Sequence, residues 1–260
     1  MSNRKLEMVK GVTLTFLFMV CASTALADSR SIRMLEAAEN IEMASQQITK
    51  AYFYLNQGIR VEQSERDMAS GLAAIEKDIR VLTKSRDKDQ QRMVMFMSFT
   101  ADEIKETAAQ PYTQERGALM LDYSETLLEG AESLTKKYIH KKDKKEQMLI
   151  ATQKMSFLLE RATKYYIAFK DGFTDHNNVI QLENSIKDFE AYLKKIKAFK
   201  YPSEQKRAAD KLAEYWPIAK GFYLGVEKSD FPLIVSITTK HLEKSLRVLE
   251  RYHHDKVLGK

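Results

Sequence analysis

Apolar residues recur at intervals of three and four along most of the chain, which is the spacing of one face of an α-helix. Only four prolines and nine glycines occur in 260 residues, so little interrupts this pattern. No stretch alternates apolar and polar residues convincingly enough to indicate a strand. The pattern therefore predicts an all-α protein.

Two long apolar faces are related by a shift of 114 residues, and each ends near a glycine suited to a helix C-cap, Gly58 and Gly172. The first face comprises Ile41, Ala44, Ile48, Ala51, Tyr52 and Leu55, and the second comprises Met155, Leu158, Ala162, Tyr165, Tyr166 and Phe169. The following helices agree in the same frame, through Met68, Leu72, Ile75, Ile79 and Leu82 against Leu182, Ile186, Phe189, Leu193 and Ile196.

The same shift also aligns identical residues at both ends of the repeating unit. Thr49, Lys50, Tyr52 and Gly58 recur as Thr163, Lys164, Tyr166 and Gly172, and Leu128, Tyr138 and His140 recur as Leu242, Tyr252 and His254. Third helices are predicted over about 89–109 and 203–224, and fourth helices after Pro111 and from Pro232. We interpret the chain as an internal duplication, with four-helix units at 28–142 and 143–260.

Residues 1–27 have the three parts of a secretory signal peptide: a basic start, an apolar stretch from Gly11 to Cys21, and a small-x-small site ending at Ala27. The apolar stretch is shorter than the roughly 20 residues that span a bilayer. Cleavage after Ala27 and a periplasmic location are expected. A retained anchor and lipidation at Cys21 are the alternatives.

The formal net charge is +6 and falls to +4 once the predicted signal peptide is removed. Acidic and basic residues are interspersed through most helices, which is typical of solvated helix faces. Export and mixed charge both disfavour nucleic-acid binding. The lysine-rich segment 141–145 is a local excess, read as a solvated hinge or as a contact for an anionic surface.

Residues 43–52, Met-Ala-Ser-Gln-Gln-Ile-Thr-Lys-Ala-Tyr, lie on the predicted first helix. They resemble the first-helix signature of PilJ-like domains, found at the N-terminus of type IV pilus methyl-accepting transducers, and of NarX-type nitrate sensors. The second copy, at 157–166, keeps an arginine and the Lys-x-Tyr ending. The resemblance implies paired four-helix sensor domains that bind a small, often anionic, ligand and that often act as dimers.

The resemblance implies a ligand site between the first helices of the two units. Its candidate residues are Gln46, Gln47, Lys50, Lys154, Arg161 and Lys164. The family usually carries arginines where this chain has Asn40, Glu42 and Gln47, so an anion site is expected around the second copy. The alternative for Lys50 and Lys164 is a lysine that covers apolar surface with its stem.

No phosphate loop, metalloprotease helix, haem-attachment motif or di-iron pair is present, so we expect no catalysis, cofactor or metal site. A metal at the histidines near 140 and 254 and a bound haem are minor alternatives. The expected role is a sensory or ligand-binding accessory protein that acts through a membrane-bound receptor or envelope protein. A helical scaffold of the cell envelope is the alternative, and a homodimer is left open.

Overall fold

The computed structural model describes residues 32–138, 144–228 and 230–258. The predicted signal peptide with Cys21, the unit boundary at 142 and His140 lie outside these ranges. The side chains of the lysine-rich segment 141–145 also lie outside them. Within the described ranges every regular element is an α-helix, which confirms the all-α prediction.

The described residues form eight helices, joined by short connections. They are α1 (32–56), α2 (Val61–Leu82), α3 (Lys88–Ala108), α4 (Gln114–Tyr138), α5 (Lys144–Lys170), α6 (His176–Ala198), α7 (Ser203–Leu224) and α8 (Pro232–Val257). The two predicted third helices match α3 and α7 to within one residue at each end. We call α1–α4 the first half and α5–α8 the second half.

The predicted apolar faces of α1 and α5 are buried in the same way. All their residues are buried except the last of each, Leu55 and Phe169, which are half-buried. The faces of α2 and α6 differ, because Met68 and Leu72 are half-buried whereas all five predicted residues of α6 are buried.

The ends of α1 and α5 have the same backbone hydrogen bonds. The N–H of Ile59 donates to the carbonyl of Tyr54 at 2.8 Å, and that of Phe173 donates to the carbonyl of Ala168 at 3.0 Å. Gly58 and Gly172 adopt positive φ angles of 66° and 98°, which an L side chain would resist. Both predicted C-caps are confirmed, as Schellman-type caps.

Helices α1 and α5 lie side by side and run in the same direction. The contacts between them follow the same order along both helices: Glu42 with Lys154, then Lys50 with Glu160, then Asn56 with Asp171. This arrangement places the second half beside the first rather than beyond its end, a choice that the sequence leaves open.

The apolar core continues from one half into the other. One buried cluster belongs to α1–α4 alone. The other unites the core of α5–α8 with residues of the first half, namely Phe53, Tyr54, Ile59, Leu121 and Leu128. The rings of Phe53 and Phe173 meet edge to face at 5.4 Å. The contact between the halves is therefore packed like an interior.

Candidate functional site

Lys50 is buried where α1 meets the second half, with only 5% of its surface exposed. Its Nζ lies 2.6 Å from Oε2 of Glu160 on α5 and 3.5 Å from Oε1 of Glu243 on α8. Burial alone would lower the pKa of Lys50, but the two carboxylates outweigh it and the pKa is raised. Two helices of the second half thus hold this cation.

The surroundings of Lys50 are also poorly hydrated. Burial raises the pKa of Glu160, with Lys50 opposing the rise and Glu243 adding to it. Burial likewise raises the pKa of Tyr54, whose hydroxyl finds no hydrogen-bond partner among the described residues. Electrostatic interactions inside this cluster are therefore stronger than they would be in water.

A cleft of about 350 Å³ opens above this cluster, between α1, the start of α2, α5 and α8. We call it the Lys50 cleft. It is lined by Met43, Gln47, Lys50, Arg60, Gln63, Asp67, Ser156, Glu160, Lys240, Glu243, Arg247 and Glu250. Four of these side chains are basic and four are acidic, so its formal charges balance. What the cleft can bind depends on which of them are already paired.

Three of the four basic side chains of the Lys50 cleft have no ion-pair partner in the described ranges. Arg60, Lys240 and Arg247 form no ion pair with any other residue that the structure describes. Of the carboxylates, Glu160 and Glu243 face Lys50. Asp67 and Glu250 form no ion pair with a described residue and accept hydrogen bonds from Gln63 at 2.7 Å and from Ser156 at 2.5 Å. The cleft therefore offers donors for an anion.

Lys164, at the position equivalent to Lys50, has different partners. Its Nζ is fully buried and lies 2.5 Å from Oε1 of Glu125 on α4 and 3.1 Å from Oγ of Ser124. Arg161 shares the same carboxylate, at 2.6 Å from Oε2. Burial, helped by Arg161 and opposed by Glu125, lowers the pKa of Lys164 to about 8.

The environment of Glu125 favours its charged form, because two cations face its one carboxylate. Burial alone would raise the pKa of Glu125, but Lys164 and Arg161 outweigh it and hold the pKa at about 2. Lys164, Arg161 and Glu125 together therefore carry one excess positive charge, and Lys164 is the more deeply buried of the two cations.

A second cleft, of about 370 Å³, lies beside Arg161, and we call it the Arg161 cleft. It is lined by Glu125, Leu128, Glu129, Glu132, Phe157, Leu158, Arg161, Gln181, Asn184, Ser185 and Asp188. Four of its lining positions are 114 residues from positions of the Lys50 cleft: Phe157, Arg161, Gln181 and Glu129 match Met43, Gln47, Asp67 and Glu243. Its charge differs, since four carboxylates surround one arginine, and this disfavours an anion there.

The structure brings the six predicted site residues together in groups, not in one place. Gln47 and Lys50 line the Lys50 cleft, and Arg161 and Lys164 share Glu125. The Nζ of Lys154 lies 2.5 Å from Oε2 of Glu42, beside a smaller pocket of about 180 Å³. Gln46 is fully buried, donates to Oγ of Ser45 at 3.0 Å and leaves its Oε1 without a partner among the described residues.

Sequence reasoning missed the basic residues of the Lys50 cleft. A signal for them exists in α8, where Lys240, Glu243, Arg247 and Glu250 follow the spacing of a single helix face. Arg60 has no such signal beyond its place two residues after the Gly58 cap; in the structure it adopts a positive φ of 48°. Nothing in the sequence indicates that these two segments lie beside Lys50.

Among the described residues, the histidines and the apolar segments add no second site. In the described ranges no three His, Cys, Asp or Glu side chains are grouped as metal ligands would be. His253 is buried, and its Nε2 lies 2.8 Å from the hydroxyl of Tyr201, while His241 stacks on Tyr215 at 4.9 Å. None of the helices in those ranges has the length and apolarity needed to cross a bilayer.

Comparisons with known proteins leave the chain without an assigned relative. No protein-family model, curated protein or solved structure matches it.

Proposed function

We propose that this chain is an exported, non-catalytic sensory or ligand-binding protein, built from two four-helix repeats resembling PilJ-like and NarX-type domains. The proposed ligand is a small anion, held in the Lys50 cleft. One observation carries the ligand proposal: a cleft of about 350 Å³ between the two halves contains Arg60, Lys240 and Arg247 without ion-pair partners among the described residues. The matching caps at Gly58 and Gly172 support the repeat.

The chemistry of the cleft favours an anion that binds at the arginines. A guanidinium group offers a planar fork to a carboxylate, nitrate or phosphate. Lys50 is already held by Glu160 and Glu243, so its role is to fix those carboxylates at the floor and away from the ligand. The ligand therefore binds without breaking an existing ion pair.

The position of the cleft supplies a mechanism for a sensor. Its walls come from α1 and α2 of the first half and from α5 and α8 of the second. A ligand that contacts both halves favours the packing in which its donors converge, and it shifts the population toward that packing. A membrane-bound receptor or envelope protein would recognise the shifted form.

The test is a binding titration of the purified protein at low salt with nitrate, acetate, phosphate and succinate, followed by calorimetry and thermal unfolding. A ligand of the folded form raises the melting temperature by mass action. We expect Arg247→Gln to weaken binding at least about tenfold, because a charged hydrogen bond is lost. Arg86→Gln, at an exposed arginine outside both clefts, is the matched control. Arg161→Ala compares the second cleft.

A scaffold of the cell envelope is the second candidate, and a specific observation favours it. Lys50, Lys154, Arg161 and Lys164 all pair with carboxylates on other helices, as residues that hold helices together do. If none of the anions binds, or if Arg247→Gln binds as well as the unmodified protein, the ligand site is wrong and the scaffold is the better function.

A further inference from the structure

Helix α3 carries a group of large apolar side chains on its outer face. Met95, Phe96 and Phe99 are 70%, 53% and 60% exposed. The opposite face packs onto α2 and α4 and buries Val94 and Met97. Single exposed apolar residues are ordinary, but three neighbours on one helix turn form a patch of the kind that marks an interaction surface.

The patch lies in the middle of a longer exposed stripe, which we call the α3 stripe. Its members are Lys88, Arg92, Met95, Phe99, Asp102 and Glu106, all exposed and separated by four, three, four, three and four residues. This is the spacing of a seam between paired helices. The stripe is basic at its N-terminal end, apolar in the middle and acidic at its C-terminal end.

This order of charges makes the stripe complementary to itself when reversed. Lys88 and Glu106 lie nine residues on either side of position 97, Arg92 and Asp102 lie five, and Met95 and Phe99 lie two. An antiparallel copy of the helix, centred at that position, places each basic residue opposite an acidic one. It also places Met95 opposite Phe99 at both ends of the apolar patch.

We infer that the α3 stripe is the contact of a homodimer, in which α3 of one chain pairs antiparallel with α3 of a second copy about a twofold axis level with position 97. The occupant is a second copy because the stripe is complementary in charge to its own antiparallel image. A parallel pair would set Arg92 against Arg92 and Asp102 against Asp102, which is repulsive.

The equivalent segment of the second half, on α7, does not carry this stripe. The positions 114 residues after Met95, Phe96 and Phe99 are Ala209, Asp210 and Ala213 on α7. A twofold contact uses the same α3 stripe of both copies, so it closes as a dimer instead of an open filament. Helix α8 also exposes Leu233, Ile234 and Ile237, and Leu233→Ser separates that patch from the α3 stripe.

The size of the contact predicts a weak, reversible dimer. With 21 residues, α3 is about 31 Å long at the usual rise per residue. One helix face buries less than the roughly 800 Å² per partner of a standard stable interface. We therefore expect a dissociation constant in the micromolar range, falling as the salt concentration is lowered.

Sedimentation equilibrium of the purified protein, from about 1 to about 500 µM, tests this inference because it covers micromolar dissociation constants. The mean mass should rise from that of a monomer toward that of a dimer. Phe99→Ser should weaken association at least about tenfold, because two apolar side chains leave the contact per dimer. Its thermal unfolding should be unchanged, and Leu233→Ser, at an exposed leucine of α8, should associate normally.

Charge reversal tests the antiparallel register. Arg92→Asp and Asp102→Arg should each weaken association by about fivefold, and the two together should restore it, because the opposite charges meet again. A protein that stays monomeric at every concentration overturns the inference. So does a dimer that Phe99→Ser leaves intact, or a double variant that associates no better than the single variants.

Discussion

Lys50 and Lys164 occupy equivalent positions on two parallel helices, and both are buried. Their environments nevertheless shift the pKa of the two lysines in opposite directions. Two carboxylates, on Glu160 and Glu243, face Lys50 and raise its pKa. One carboxylate, on Glu125, faces Lys164 and is shared with Arg161, so burial prevails and lowers the pKa of Lys164 to about 8. The direction in which the pKa of a buried lysine shifts thus depends on the charged groups that face it as well as on its burial.

The difference can be traced to one pair of equivalent positions. Glu160, which pairs with Lys50, lies 114 residues after Gln46. If the two halves were equivalent, Gln46 would face Lys164 as Glu160 faces Lys50. Gln46 carries no charge, and its Oε1 has no partner among the described residues. Lys164 instead uses Glu125, one helical turn before Glu129, the counterpart of Glu243. The equivalent lysines of the two halves therefore pair with carboxylates on different helices.

The largest effect is expected from removing the carboxylates. Glu125→Gln leaves both Lys164 and Arg161 without an ion-pair partner and should lower the free energy of unfolding by about 3–5 kcal/mol. Glu160→Gln should cost less, about 1–3 kcal/mol, because Glu243 still faces Lys50. Urea unfolding at neutral pH measures both. Glu129→Gln, exposed on α4, is the control, and a larger loss for Glu160→Gln would contradict the comparison.

The second test removes the lysines themselves. Lys50→Met leaves Glu160 buried without its nearest cation and should cost about 2–4 kcal/mol. Lys164→Met leaves Glu125 paired with Arg161 and relieves the burial of a charge, so the free energy of unfolding should change by less than about 1 kcal/mol. Urea unfolding of the two variants at neutral pH gives the difference. Equal losses would mean that both lysines are held alike.

These pairings mark the limit of what the sequence could predict. The helices, their buried faces and the glycine caps follow from residue spacing, because each depends on neighbours within a few turns. The partners Glu125, Glu160 and Glu243 do not, since they meet the lysines only after the two halves pack side by side. Among dozens of charged residues on helix surfaces, nothing local singles these out.

The clefts illustrate the same limit. The family resemblance predicts an anion site around Arg161, in the second copy. In the structure four carboxylates surround that arginine, whereas the Lys50 cleft contains Arg60, Lys240 and Arg247, from segments that lie far apart in the chain. Charge balance in a cleft is a property of the tertiary contact between helices, and the residues of one helix do not determine it.

The pH dependence of stability provides a third test. The folded-state pKa of Lys164 is about 8, below its ordinary value of 10.5, so in this window the unfolded chain binds a proton that the folded chain releases. Stability from this group therefore rises as the pH increases from 8 to 10.5, by at most about 3 kcal/mol. The pKa of Lys50 is raised, so Lys50 contributes no such rise.

Urea unfolding across this pH range measures the effect, with the Lys164→Met variant subtracted from the unmodified protein to reduce the contribution of other titrating groups. The difference between the two should increase as the pH rises from 8 to 10.5. A level difference would place the pKa of Lys164 near its ordinary value.

The smallest effect is expected where the two halves are alike. Gly58→Ala and Gly172→Ala each place a Cβ on a residue with positive φ and should lower the free energy of unfolding by about 1 kcal/mol. Gly221→Ala should have the opposite sign, because Gly221 lies inside α7 with open space around it and alanine favours a helix. Urea unfolding of the three variants decides the matter. Similar losses at both caps, beside unequal losses at Lys50 and Lys164, would show that the two halves differ in their charges and not in their backbone. A neutral Gly58→Ala would show that the two helix ends differ as well.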